Sequence, residues 1–93
     1  MDKIILDLES IFDRKSLYDL INNNIDPNYY INNLDALFDF LSESFDKHFI
    51  LENVGWFLDN FGDREYAQKF LKTFFDAEIY LDDVHVSFID ISC

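Results

Sequence analysis

Three carboxylates follow one another at intervals of four residues, at Asp35, Asp39 and Glu43. On a helix, residues one turn apart have Cβ atoms about 6 Å apart, which is close enough for two carboxylates to act as general acid and base or to bind a metal ion. Acid–base catalysis also needs a pocket that separates the pKa values of the two groups, and a surface helix of a 93-residue chain rarely offers one. No Lys or Arg occurs from residue 26 to residue 46. The row of charges is therefore better interpreted as a surface for a basic partner.

Other catalytic chemistry finds little support in the sequence. The two histidines, His48 and His85, do not stand beside a Ser or Cys nucleophile in a recognisable pattern, and the single cysteine is Cys93. Asp82 and Asp83 with His85 are too few ligands for zinc. The chain has neither a calcium-binding loop nor a glycine-rich phosphate loop. We therefore expect no catalytic residue, no metal and no cofactor.

The composition limits the class of protein. The chain has 93 residues, of which 49% are hydrophobic and 18% aromatic, and this is enough for one domain with one core over residues 1–93. Its net charge of −12 argues against nucleic acid and anionic membranes as partners and favours a basic protein. One cysteine, no signal peptide and no long apolar run predict a cytoplasmic protein, which we expect to be a monomer when free.

The apolar spacing predicts three strands and about four helices. A buried strand is expected at residues 3–8. A second strand is expected at residues 48–53, and Gly55 ends it. A capping box beginning at Ser16 starts the first helix, which Pro27 closes. A second helix is expected to begin at Asn32 or Asn33, a third, short helix near Trp56, and a fourth over residues 64–80. The third strand is expected to contain Val84, Val86, Phe88 and Ile91. Strands that alternate with helices indicate a two-layer α/β fold with a parallel sheet.

The second predicted helix is amphipathic. Its apolar stripe consists of Leu34, Leu37, Phe38, Leu41 and Phe45. Its polar side consists of Asp35, Asp39, Ser42, Glu43 and Asp46.

Two adjacent tyrosines, Tyr29 and Tyr30, precede this helix. We expect at least one of them to anchor its loop in the core. The alternative is that they anchor an interface with another protein, since aromatic residues beside charges are common at the centre of protein contacts.

The run from Tyr29-Tyr30 to Asn33-Leu-Asp-Ala-Leu-Phe-Asp39 resembles the barstar family, which are intracellular inhibitors of barnase-type ribonucleases. The family pattern is Tyr-Tyr-Gly-x-Asn-Leu-Asp-Ala-Leu-Trp-Asp, and the resemblance continues in spacing through residues 51–52 to residues 74–77. It implies a three-stranded parallel sheet with helices on one face. It also implies an inhibitor rather than an enzyme.

By this resemblance, the loop and the following helix enter the active site of a basic, guanyl-specific microbial ribonuclease. Asp39 would occupy the place of an RNA phosphate and meet arginines and the catalytic histidine, on which Tyr29 would pack. Asp35 and Asp76 would make further polar contacts. The full predicted partner-binding set is Tyr29, Tyr30, Ile31, Asn33, Asp35, Phe38, Asp39, Ser42, Glu43 and Asp76.

The chain also departs from the family pattern. Ile31 replaces the glycine, Phe38 replaces the tryptophan, and Glu43 and Ser44 stand where a small residue and an aromatic residue are common. These changes bear on which ribonuclease is bound. The alternative function is immunity to a different cationic toxin, or regulation of another basic protein. The least favoured interpretation is an enzyme that uses Asp35 and Asp39.

Overall fold

The computed structural model describes residues 2–25 and 27–89. Within these residues the chain forms the three strands and four helices that the sequence predicts. In chain order the elements are β1 (Asp2–Asp7), α1 (Arg14–Ile25), α2 (Leu34–Ser42), β2 (Lys47–Glu52), α3 (Val54–Asn60), α4 (Arg64–Tyr80) and β3 (Val84–Ile89). Two helices connect each strand to the next, as crossovers between parallel strands require.

The sheet has the order β1-β2-β3, and both neighbours run parallel to the central strand. In this register Ile5 pairs with Ile50, which in turn pairs with Ser87. The predicted parallel α/β fold is therefore confirmed. Ile91, which the sequence pattern assigns to the third strand, lies outside the described residues.

Burial alternates along the strands because successive side chains point to opposite faces of a sheet. Leu6, Phe49 and Leu51 are at most 1% exposed, whereas Ile5 is 52% exposed. One face of the sheet packs against the helices, and the other is open. The prediction of a buried first strand is therefore wrong: β1 lies at the edge, and Leu6 is its one buried residue.

Phenylalanine side chains form much of the core between the sheet and the helices. Phe49 of β2 packs edge-on against Phe74 of α4, with ring centroids 5.6 Å apart. Phe70 contacts both Phe74 and Phe57, at 5.3 and 5.7 Å. Such edge-to-face pairs are favourable beyond the area that they bury. Because α4 also packs against α2, this aromatic core fixes the position of the helix that carries the carboxylates.

The first helix begins one turn earlier than predicted. Asp13 caps it: the Ser16 N–H donates to Asp13 Oδ1 at 2.8 Å, and the Asp13 N–H donates to Ser16 Oγ at 3.4 Å. Ser16 is thus the third helical residue of a reciprocal capping box and not its first member. Asp19, which the prediction placed in the box, instead accepts a hydrogen bond from Lys15 Nζ at 2.8 Å.

The α3 helix follows β2 without a break at Gly55. The chain turns at Asn53, which adopts a left-handed conformation with φ 60°, and Gly55 lies inside the helix. Asn tolerates this conformation better than most residues, so the glycine is not needed for the turn. The bounds of α4, capped by Asp63, agree with the prediction. No helix among the described residues is long and apolar enough to span a membrane.

Candidate functional site

The α2 helix presents its carboxylates to solvent because its opposite side is packed into the core. Asn33 is its N-cap, and the Asn33 Oδ1 atom accepts a hydrogen bond from the Ala36 N–H at 2.7 Å. Leu37 and Leu41 are 1% and 0% exposed. We call the row formed by Asp35, Asp39 and Glu43, all of which are exposed, the acidic face.

The carboxylates of the acidic face are not paired with any side chain in the described part of the chain. Within residues 2–25 and 27–89, the side chains of Asp35, Asp39 and Glu43 make no hydrogen bond or ion pair. Glu43 is the C-cap of α2, whose last turn has no basic residue, so the negative end of the helix dipole adds to the carboxylate charges. The three carboxylates are therefore free to accept hydrogen bonds from another molecule.

The end of α2 differs from the prediction at Phe45. The sequence pattern places this residue on the apolar stripe, but it lies beyond the helix and is 74% exposed. The chain turns sharply at Asp46, where φ is 53°. The turn directs the backbone into β2 and leaves Phe45 at the surface.

Both loop tyrosines are exposed, Tyr29 at 45% and Tyr30 at 55%. The expectation that at least one of them anchors the loop in the core is therefore wrong. The Tyr30 hydroxyl donates to Asp19 Oδ1 at 3.0 Å, and Lys15 Nζ donates to the same carboxyl group. The hydrogen bond to the Asp19 carboxylate raises the pKa of Tyr30. The pKa of Asp19 is lowered, mainly by the hydrogen bond from Lys15 and to a smaller extent by that from Tyr30. Tyr30 is thus held to α1, while Tyr29 faces outward.

Ile31 is the residue that anchors the loop. Its side chain is 0% exposed. Ile31 is therefore a core residue, whereas the sequence-based prediction places it in the partner-binding set. Its backbone is held by Asn22: the Ile31 N–H donates to Asn22 Oδ1 at 2.9 Å, and Asn22 Nδ2 donates to the Ile31 carbonyl at 2.8 Å. Ile31 thus supports the surface by fixing the position of its neighbours.

The sequence pattern does not reveal the role of Asn22, which is the first of three consecutive asparagines at residues 22–24. Its Nδ2 atom also donates to the Tyr18 carbonyl at 2.7 Å. The signal that could have found it is chemical, since a side-chain amide both donates and accepts and can pair with both backbone groups of one residue.

Replacing Asn22 with alanine should lower the free energy of unfolding by about 1–3 kcal/mol, because two backbone groups of Ile31 lose their partner. Amide hydrogen exchange should accelerate over residues 29–31. Asn24→Ala is the matched control, since the Asn24 amide makes one exposed bond to the Leu20 carbonyl. Urea unfolding and exchange rates that are equal in the two variants would contradict this role.

A groove of about 320 Å³ between α2 and α4 brings Asp76 beside the acidic face. Its lining includes Asp35, Phe38, Lys72 and Asp76. Phe38 is half-buried and packs against the core, and the Asp76 carboxylate accepts a hydrogen bond from Lys72 Nζ at 2.9 Å. Asp76 therefore lies where a partner on the acidic face could reach it, but it already has a counter-charge.

The remaining predicted site residues divide between the surface and local structure. Asn33 is exposed, although its side-chain oxygen is engaged as the helix cap. Ser42 is also exposed, and its hydroxyl donates to the Asp39 carbonyl at 2.8 Å. Both stabilise α2 and remain at its solvent side.

The histidines occupy the strands as predicted. His48 Nε2 lies 2.7 Å from Ser87 Oγ, and His85 Nδ1 lies 3.9 Å from Glu78 Oε2. The described residues contain no group of three or more His, Cys, Asp or Glu that could hold a metal ion. Cys93 lies outside the described residues.

Comparison with known proteins identifies the family. A family model described as Barstar (barnase inhibitor) matches residues 1–90. No curated protein matches the sequence closely enough to be reported as a relative. Proteins of the matched family are inhibitors and not enzymes. The match covers almost the entire chain and includes the tyrosine pair and the acidic face, so this protein belongs to the barstar family of barnase inhibitors.

Proposed function

We propose that the protein inhibits a basic, guanyl-specific ribonuclease of the barnase type inside the producing cell. The loop of residues 27–32 and α2 would enter the active site and exclude RNA. The observation that carries this proposal is the acidic face, which is exposed and lacks a counter-charge among the described residues. Family membership supplies the class of partner.

Asp39 is proposed as the substitute for a substrate phosphate. It lies at the middle of the acidic face, with Asp35 one turn before it and Glu43 one turn after it. Arginine side chains that bind phosphate also bind carboxylates in a bidentate manner. A carboxylate held on a rigid helix can therefore take the same donors without offering a bond to cleave. The exposed Tyr29 would pack on the catalytic histidine of the ribonuclease.

Electrostatic attraction should make association fast and dependent on salt. A protein with a net charge of −12 attracts a basic enzyme over distances comparable to the Debye length. Raising NaCl from about 0.05 to 0.5 M should lower the association rate constant at least about tenfold, with a smaller change in the dissociation rate. Stopped-flow measurements of both rates test this expectation.

Two variants with the same change in net charge provide the control for the salt experiment. Asp35→Asn removes a charge from the acidic face, whereas Asp59→Asn removes one from α3. The salt dependence of association should weaken more for Asp35→Asn. Identical slopes would mean that only the total charge matters.

The direct test is RNA cleavage by barnase in the presence of the protein. Stoichiometric inhibition at micromolar concentration is expected. Unchanged cleavage with a folded protein would contradict inhibition of this enzyme. Capture of a different basic protein from extracts of the native host would then favour the alternative of immunity to another cationic toxin, for which the departures at Phe38, Glu43 and Ser44 leave room.

A further inference from the structure

A cleft of about 490 Å³ lies beside the acidic face, between the tyrosine loop and the end of α2. Its lining includes Tyr29, Phe40, Glu43, Ser44, Phe45 and Lys47. Three of these side chains are aromatic, and two of the three, Tyr29 and Phe45, are 45% and 74% exposed. Exposed aromatic residues that border a cleft are common at sites that another molecule covers.

The turn that carries Phe45 is held in place by the sheet. The Asp46 carbonyl accepts a hydrogen bond from the Asp2 N–H at 3.1 Å. Ser44 is also fixed, since its hydroxyl donates to the Phe40 carbonyl at 2.9 Å. The side of the cleft formed by residues 44–46 is therefore attached to both α2 and β1, so its shape exists before a partner arrives.

The free carboxylate of the cleft is that of Glu43. The other charged side chain in its lining, Lys47, is already paired, since Lys47 Nζ lies 3.0 Å from Asp2 Oδ2. Glu43 has no such partner among residues 2–25 and 27–89. It also lies at the negative end of the α2 dipole. The cleft thus combines aromatic surface with one unpaired carboxylate.

We propose that this cleft receives an arginine side chain of the partner ribonuclease. A planar guanidinium group stacks on aromatic rings and forms two parallel hydrogen bonds to a carboxylate. The compact ammonium group of lysine interacts less well with an aromatic ring. Glu43 and Phe45 would then help to determine which ribonuclease is bound. The inference rests on the proposed function. Its experiment has two parts, so that failure of the arginine cleft can be distinguished from failure of ribonuclease inhibition.

The first part uses the protein alone with the capped peptides Gly-Arg-Gly and Gly-citrulline-Gly, which differ in charge at nearly constant shape. In NMR titrations, the arginine peptide should produce saturable shift changes at the amides of Tyr29, Glu43 and Phe45. Glu43→Gln should weaken this binding at least about threefold, as expected for a partly exposed ion pair. Equal binding of the citrulline peptide, or shifts that Glu43→Gln leaves unchanged, would overturn the proposal.

The second part measures the dissociation constant of the complex with barnase. Glu43→Gln and Phe45→Ala should each weaken binding about 3- to 10-fold. Glu9→Gln is the control, because Glu9 follows β1 at the opposite end of the parallel sheet from the turn that precedes β2. Strong inhibition with unchanged affinity in both cleft variants would overturn the arginine cleft and leave the proposed function intact. Lack of inhibition by the unmodified protein would contradict the proposed function, while the peptide titration still decides the chemistry of the cleft.

Discussion

Asp39→Ala is expected to weaken binding of the ribonuclease by about 3–5 kcal/mol, or roughly 150- to 5,000-fold. In the proposed complex the Asp39 carboxylate lies at the centre of the contact and replaces a phosphate. Its removal would leave cationic groups of the enzyme buried without a partner, and this is the main source of the loss. Titration of ribonuclease activity with the variant gives the dissociation constant.

The same substitution should leave the fold intact. Asp39 is exposed, and the buried contacts of α2 are made by Leu37 and Leu41. Removal of one of three like charges at helical spacing should even stabilise the helix, by about 0.2–0.5 kcal/mol for each pair that is relieved. Urea unfolding therefore separates a binding defect from a folding defect.

Asp59→Ala is the matched control for Asp39→Ala. It removes the same side chain and the same charge, but from an exposed position on α3. We expect it to weaken binding by less than about 0.5 kcal/mol, through long-range attraction alone. Equal losses in the two variants would place the interface elsewhere on the protein.

The acidic face could be predicted from the sequence because helical periodicity reports burial directly. Leu37 and Leu41 recur at the spacing of one helix side, so Asp35 and Asp39 must lie on the other. The parallel sheet follows from the alternation of strands and helices for a similar reason. Both patterns extend over many residues, and no single side chain decides them.

The loop before α2 could not be predicted because it has no periodicity. Three apolar side chains, Tyr29, Tyr30 and Ile31, follow one another, and a loop gives no rule for which of them points inward. Aromatic size favours a tyrosine as the anchor, yet the smaller Ile31 is the buried residue. The choice depends on Asn22, nine residues earlier in the chain, which fixes the backbone at Ile31.

The predicted start of α1 at Ser16 is one turn late for a local reason. Both Asp13-x-x-Ser16 and Ser16-x-x-Asp19 fit the spacing of a capping box. The earlier box is the one formed, and it leaves Asp19 inside the helix. There Asp19 accepts hydrogen bonds from Lys15 and from the Tyr30 hydroxyl of the loop. A local sequence pattern cannot reveal this tertiary contact between Asp19 and Tyr30.

Ile31→Ala should lower the free energy of unfolding by about 2–4 kcal/mol, because it deletes a fully buried aliphatic side chain and leaves a cavity. Urea unfolding measured by far-UV circular dichroism gives this value. Ile5→Ala is the control, since Ile5 is 52% exposed on the open face of the sheet, and we expect a loss below about 1 kcal/mol.

Ile31→Gly tests whether the residue found in the family pattern can serve at this position. The backbone at Ile31 does not adopt a positive φ angle, so glycine brings no relief of strain and adds about 0.5–1 kcal/mol of backbone entropy to the loss. The variant should therefore be less stable than Ile31→Ala. It should also bind the ribonuclease more weakly, since Tyr29 and Tyr30 must then be ordered on binding at a cost in conformational entropy. Full stability of Ile31→Gly would show that the Asn22 hydrogen bonds hold the loop without the buried side chain.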